Sequence, residues 1–231
     1  MELVTRPCSV RVLILISGGG SNMAAIVQTA QRDHWQQRYG TRVAAVISNK
    51  ASAGGLRFAQ EQGIATAVLD HKAYPSREAF DAELAATIDR HQPALVVLAG
   101  FMRILSDGFV AHYEGRLINI HPSLLPSFPG LHTHQRALDD GVRVHGCTVH
   151  FVTPKLDHGP IVVQAAVPVL DGDDATVLAA RVLEQEHRIY PLAVRWFAEG
   201  RLRLEDGRVR LDAPQEYASC LISPQVTRRG P

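Results

Sequence analysis

The run Val12-Leu-Ile-Leu-Ile16, broken almost at once by Gly18-Gly19-Gly20, constrains the fold more than any other feature of the chain. A strand that is apolar at every position has no face to offer water, so it belongs inside a parallel sheet with helices on both sides. Ser21-Asn22 then predicts a capped helix running to about Gln37. The same alternation of short apolar runs and longer amphipathic stretches continues along the chain. Strands are predicted at Val43–Ile47, Thr66–Leu69, Leu95–Leu98 and Arg116–Ile120, with helices near Ser52–Gln62 and over Ser76–His91. Glu78 and Asp81 suit the positive end of the latter helix.

The rhythm changes after that. Thr148–Val152 and Ile161–Val169 are β-rich and separated by Pro154, Asp157 and Gly159, which predicts a hairpin-like pair. Asp173–Ala198 is one long helical pattern. Arg201–Leu204 and Arg208–Leu211 flank Asp206-Gly207, a strong two-residue hairpin signal. The expected class is α/β: a single doubly wound, mostly parallel sheet with an antiparallel C-terminal part and a final β-hairpin. Residues 1–10 read as an N-terminal extension, 11–212 as the domain and 213–231 as a polar, Pro-punctuated tail.

Composition removes several classes of function. The net charge is +1 with both signs interspersed, so no basic stripe argues for nucleic acid. No apolar run approaches the roughly 20 residues of a membrane helix, and the first ten residues lack the apolar core of a signal peptide. Cys8, Cys147 and Cys220 are odd in number and far apart, which fits a reducing, cytoplasmic setting better than a disulfide framework or a zinc site. Among eleven histidines, His132-x-His134 has no third ligand at useful spacing, and no metal site is expected.

Two segments carry chemistry. Ser17-Gly-Gly-Gly-Ser-Asn22 lies between the first strand and the first helix, where glycines admit an anion to the backbone and free N–H groups point at it. It is neither the dinucleotide fingerprint nor a Walker loop, and a plain tight turn fits it equally. In Asn119-Ile-His-Pro-Ser-Leu-Leu-Pro126, strand alternation puts Asn119 and His121 on one face at a strand's carboxyl end. An imidazole can move protons near neutral pH and an amide can stabilise an oxyanion, although a structural histidine remains open. Phe101-Met-Arg-Ile-Leu105 offers apolar walls for a flat heterocycle, or simply a packed strand exit with Arg103 in solvent. Asp157 reads on its own as a turn residue.

Taken in order, Ser17–Asn22, Val97–Leu105, Asn119–Pro126, Pro-Gly-Leu-His-Thr-His (129–134), Val-His-Phe-Val (149–152) and Gln-Glu-His-x-Ile-Tyr-Pro (185–191) resemble the phosphoribosylglycinamide formyltransferase family over nearly the whole chain. The resemblance implies that Asn119, His121 and Asp157 are catalytic. It implies that Gly20, Ser21, Asn22 and Met23 hold the phosphate end of a ribonucleotide, with Leu183, Glu184, Gln185 and Glu186 on its glycinamide and ribose part. Arg77, Met102, Arg103, Ile104 and Leu105 would bind 10-formyltetrahydrofolate, together with Asn119 and a segment made of Thr153, Pro154, Lys155, Leu156 and Asp157. Gly19 stands where some members carry Asn, His158 where a Gly can follow the Asp, and Leu183 where a polar residue can occur.

The implied reaction is direct acyl transfer between small molecules, 5-phosphoribosylglycinamide and the folate, without metal or nucleic acid. Asn119 and protonated His121 would stabilise the oxyanion, and Asp157 would keep His121 protonated. Sister enzymes compete on the same core. Methionyl-tRNA formyltransferase adds a large C-terminal domain, and formyltetrahydrofolate hydrolase adds an N-terminal one and lacks the Gly-Ser-Asn loop. A non-catalytic nucleotide- or folate-binding module would keep the loop and lose one of Asn119, His121 or Asp157.

Overall fold

The computed structural model describes residues 10–213 and residue 223, so nearly all of the expected extension and tail lies outside the described residues. The strand β1 (Arg11–Ile16) lies inside the sheet, and its alternation splits the core in two. Val12, Ile14 and Ile16 pack on one side, and Leu13 and Leu15 on the other. Around it run β2 (Arg42–Ser48), β3 (Ala65–Val68), β4 (Leu95–Leu98), β5 (Leu117–His121), β6 (Val144–Phe151) and β7 (Ile161–Pro168), in the order β3-β2-β1-β4-β5-β6-β7. The first five strands are parallel, while β6 is antiparallel to both β5 and β7. Strand order reverses between β1 and β4, where an open α/β sheet leaves a crevice at its carboxyl edge.

Helices cover both faces. On the β1 Val12/Ile14 side lie α1 (Ser21–Arg32), α2 (Trp35–Tyr39), α3 (Gly54–Glu61), α6 (Thr133–Asp139) and α7 (Ala175–Ala198). On the other side lie α4 (Arg77–Asp89) and α5 (Asp107–His112), which contribute Phe80, Leu84, Ile88 and Phe109. Ser76 caps α4 by accepting from Ala79 N, and Asp174 caps α7 by accepting from Thr176 N and Val177 N. β8 (Leu202–Glu205) and β9 (Arg208–Leu211) form a separate hairpin turned by Asp206 and Gly207, both at positive φ. Among the described residues no helix is long and apolar enough to cross a membrane.

Two expectations change. The helix expected to reach Gln37 ends at Arg32, because His34 takes a left-handed conformation (φ 53°) that turns Trp35 into the core. Ser21 and Asn22 do not cap α1: the N-cap residue is Gly20 at φ 71°, with no side-chain cap. Asn22 has another partner, described below. The short helices α5 and α6 and a 3₁₀ turn at His71–Ala73 have too few residues to show a periodic pattern.

One contact sets the registration of α7. The buried Tyr190 hydroxyl donates to the Leu98 carbonyl at 2.8 Å and lies 3.2 Å from that of Ile118. The helix is thus pinned where β4 ends and one residue before Asn119.

Candidate active site

The loop after β1 opens the crevice. An added Cβ at Gly18 or Gly19 would meet nothing, so both have free space in front of them. Gly20 needs its positive φ, and an added Cβ there would stand 3.2 Å from the Gly55 Cα. Ser17 ties three strand ends together. Its hydroxyl donates to Asn49 Oδ1 at 2.6 Å and accepts from Met102 N at 2.8 Å, which couples the glycine loop to the loop after β4. Neither Asn49 nor this role of Ser17 was legible in the sequence, since both depend on which strands become neighbours.

Of the residues assigned to the ribonucleotide, Asn22 and Glu186 meet. Asn22 Nδ2 donates to Glu186 Oε2 at 2.7 Å, and Asn22 Oδ1 is buried with no partner among the described residues. Burial pushes the Glu186 carboxyl above its ordinary range, an effect opposed by the Asn22 amide. Met23 is fully buried and offers a ligand only its backbone, while Ser21 is exposed at the helix start. Leu183 lies one turn before Glu186 on a shared face of α7. Glu184 and Gln185 do not: Glu184 faces solvent, and Gln185 lines a different cleft and accepts from Arg188.

The loop after β4 divides by side chain. Met102 and Ile104, two residues apart, are 65% and 63% exposed. Leu105 is half-buried against the core. Arg103 is half-buried and lies over the Phe80 ring at 5.2 Å with its Nε buried. Asp81 Oδ2 accepts from Ser106 N at 2.6 Å, bringing the start of α4 against this loop. Arg77 sits one turn before Asp81 and pairs with Glu78 at 3.3 Å.

Asn119 and His121 share one face of β5, and Asp157 lies against His121. His121 Nδ1 lies 3.6 Å from Asp157 Oδ2, and the side chains are 8% and 7% exposed. His121 Nε2 donates to the Phe128 carbonyl at 2.9 Å. Asp157 is held by its own positive φ (53°) and by Gly130 N, which donates to Oδ2 at 2.8 Å. Thr153 Oγ1 donates to the Lys155 carbonyl, which shapes the Thr153–Asp157 turn, and Leu156 projects outward from it. At Gly159 any Cβ would overlap the Phe151 carbonyl oxygen.

A fourth member was not foreseen. Register pairs Asn119 with His150 across β5 and β6, and Asn119 Nδ2 donates to His150 Nε2 at 3.3 Å. His150 Nδ1 donates to the Phe151 carbonyl, so its Nε2 is the acceptor and the ring is neutral. Burial lowers its pKa accordingly. Among the described residues no group of three or more His, Cys, Asp or Glu is placed to hold a metal ion.

Residues 10–194 match the formyl transferase family model. The chain belongs to the formyl transferase family. Phosphoribosylglycinamide formyltransferase of Escherichia coli (strain K12) is 53% identical to it over 212 residues, covering 90% of this chain and 98% of that one. The crystal structure of glycinamide ribonucleotide transformylase 1 from Symbiobacterium toebii superposes with a TM-score of 0.85 at 48% identity, covering 91% of this chain and 98% of that chain. A trifunctional purine biosynthetic protein adenosine-3 of Drosophila pseudoobscura pseudoobscura is 48% identical over 206 residues; 89% of this chain matches, spanning 15% of that longer relative. This formyl transferase is therefore an enzyme of one-carbon group transfer.

Proposed function

We propose that the chain transfers the formyl group of 10-formyltetrahydrofolate to the amine of 5-phosphoribosylglycinamide, a cytoplasmic step of purine synthesis. The observation that carries the reading is the convergence of Asn119, His121 and Asp157 on the same sheet edge as the glycine loop and the Asn22–Glu186 pair. The loop from Gly20 to Met23 would take the phosphate on backbone N–H groups, with Ser21 and Asn22 beside it. Glu186, buried and already accepting from Asn22, would accept from the glycinamide part. Glu184 and Gln185 have no role in this reading.

For the donor, the exposed apolar side chains of Met102 and Ile104 suit a flat heterocycle, so the residues present fit a folate. Leu105, Arg77 and the Thr153–Asp157 turn would complete that slot. The donor supplies an activated formyl carbon. Asn119 and His121 would donate to the formyl oxygen as charge grows there, with His121 Nε2 exchanging the Phe128 carbonyl for this acceptor. Asp157 would hold His121 charged. As the carbon–nitrogen bond to the amine forms and that to the folate breaks, one proton passes from the amine to the folate nitrogen, through His121 or a water.

The test is an absorbance assay for the folate product, with and without 5-phosphoribosylglycinamide. Product formation that requires the ribonucleotide supports the reading. Equal rates with and without it would identify a hydrolase and overturn it.

A further inference from the structure

The loop after β4 is fixed at both ends by side chains from other elements. At its start Met102 N donates to Ser17 Oγ at 2.8 Å, and at its end Ser106 N donates to Asp81 Oδ2 at 2.6 Å. Between these two N–H groups the side chains alternate: Met102 and Ile104 are exposed, Arg103 and Leu105 half-buried. The half-buried pair packs toward α4, Arg103 over the Phe80 ring and Leu105 against the cluster that contains Phe80. The exposed pair is left outward.

Asp81 costs more than a structural tie requires. It is 2% exposed, and the N–H it holds lies 25 residues away in the chain. Its other oxygen, Oδ1, is buried with no partner among the described residues. Taking a carboxylate out of water is expensive, and one N–H returns only part of that. What the carboxylate adds over a neutral acceptor is a shorter, stronger hydrogen bond, which fixes Ser106 N in one place.

α4 meets the segment after Ser106 a second time. The buried Tyr113 hydroxyl donates to Asp89 Oδ1 at 2.8 Å, at the last residue of α4 and about two turns beyond Asp81. That join fastens α5 to α4 without touching the loop, whereas the Asp81 join ends the loop itself. Asp81 also stands one turn after Arg77 on a shared face of α4. One carboxylate therefore links the two segments assigned to the formyl donor.

We propose that Asp81 is a positioning residue for the donor, its carboxylate setting the Met102–Ser106 loop against Arg77 so that both grip one molecule. This rests on the donor lying along that loop, as the proposed function has it.

The test is titration calorimetry of the whole protein with tetrahydrofolate, beside KM for each substrate. Affinity should fall about tenfold in Asp81→Ala, the share of one charge-assisted hydrogen bond. The loss should be smaller in Asp81→Asn, whose amide oxygen still accepts from Ser106 N. KM for the ribonucleotide should stay within about twofold of wild type in both. Tyr113→Phe removes the other join, so it should lower Tm by a few degrees and leave tetrahydrofolate affinity at the wild-type value. Arg77→Gln should cost less affinity in an Asp81→Asn background than in wild type, because a displaced loop no longer shares its ligand with Arg77. Wild-type affinity in Asp81→Ala, or in Asp81→Asn where Asp81→Ala does not fold, overturns the proposal. So does equal weakening in Tyr113→Phe, or a full additive loss from Arg77→Gln. A wild-type protein that binds no tetrahydrofolate overturns the donor reading itself, and this proposal with it.

Discussion

His121 and Asp157 face each other across 3.6 Å in a pocket where each side chain is less than a tenth exposed, and Asp157 is fixed there by the N–H of Gly130. Asp157→Asn keeps the shape and an acceptor oxygen for Gly130 while removing the charge. If the carboxylate acts through the imidazole, kcat falls about 10²-fold or more, with KM for the ribonucleotide within a few-fold of wild type. Asp157→Asn in a His121→Gln background should then cost little further, since the two act as a unit. A full additional loss in the double variant would show that Asp157 acts independently.

Glu186→Gln separates charge from shape on the substrate side. An amide can still accept from Asn22, so the fold persists, and the expected result is a rise of about tenfold or more in KM for the ribonucleotide with a smaller change in kcat. Stability moves the other way. Burial raises the Glu186 carboxyl above 4.5, so its ionisation weakens the fold progressively as pH climbs through the raised value. The neutral variant has no such loss. Calorimetry should find the Tm of Glu186→Gln gaining on wild type as pH rises above 4.5, and a constant difference would contradict the burial argument.

Ser17→Ala strands the buried Asn49 Oδ1 and the part-buried Met102 N at once. The expected cost is about 1–3 kcal/mol, or several degrees in Tm. Because Met102 N begins the loop assigned to the donor, KM for the folate should rise more than KM for the ribonucleotide. Equal changes in both would mean that the hydroxyl holds the sheet edge together and does not orient that loop.

Ile104→Asp tests the donor slot with little risk to folding, since the side chain is 63% exposed. Removing an apolar wall and adding a charge should raise KM for the folate about tenfold or more, with Tm unchanged. Unaltered folate kinetics would put the heterocycle elsewhere.

The legible parts of this molecule were those decided locally. An unbroken apolar strand such as Val12–Ile16 admits one environment, and Asp206-Gly207 admits one turn. Asn119 and His121 were readable because strand alternation alone puts them on one face. Asp157 looked like an ordinary turn residue: its partnership with His121 exists through a left-handed backbone and the pairing of β6 with β5, and only the family resemblance pointed to it. His150 was hidden for the same reason, as its place beside Asn119 is a matter of register. The helix break at His34 was missed because the pattern of α1 and α2 is continuous in sequence, and the burial of Trp35 outweighs that local preference.

Gly159 has a consequence for how this chain can vary. Every missense change at a glycine codon introduces a Cβ, and here the smallest possible one collides with the Phe151 carbonyl. Asp157 and its turn are therefore followed at two residues' distance by a position with no neutral neighbour in the genetic code. A saturation library should return Gly159 alone among active clones, whereas Gly18 and Gly19, with open space before them, should show small residues that fold and differ chiefly in how well they admit the ribonucleotide.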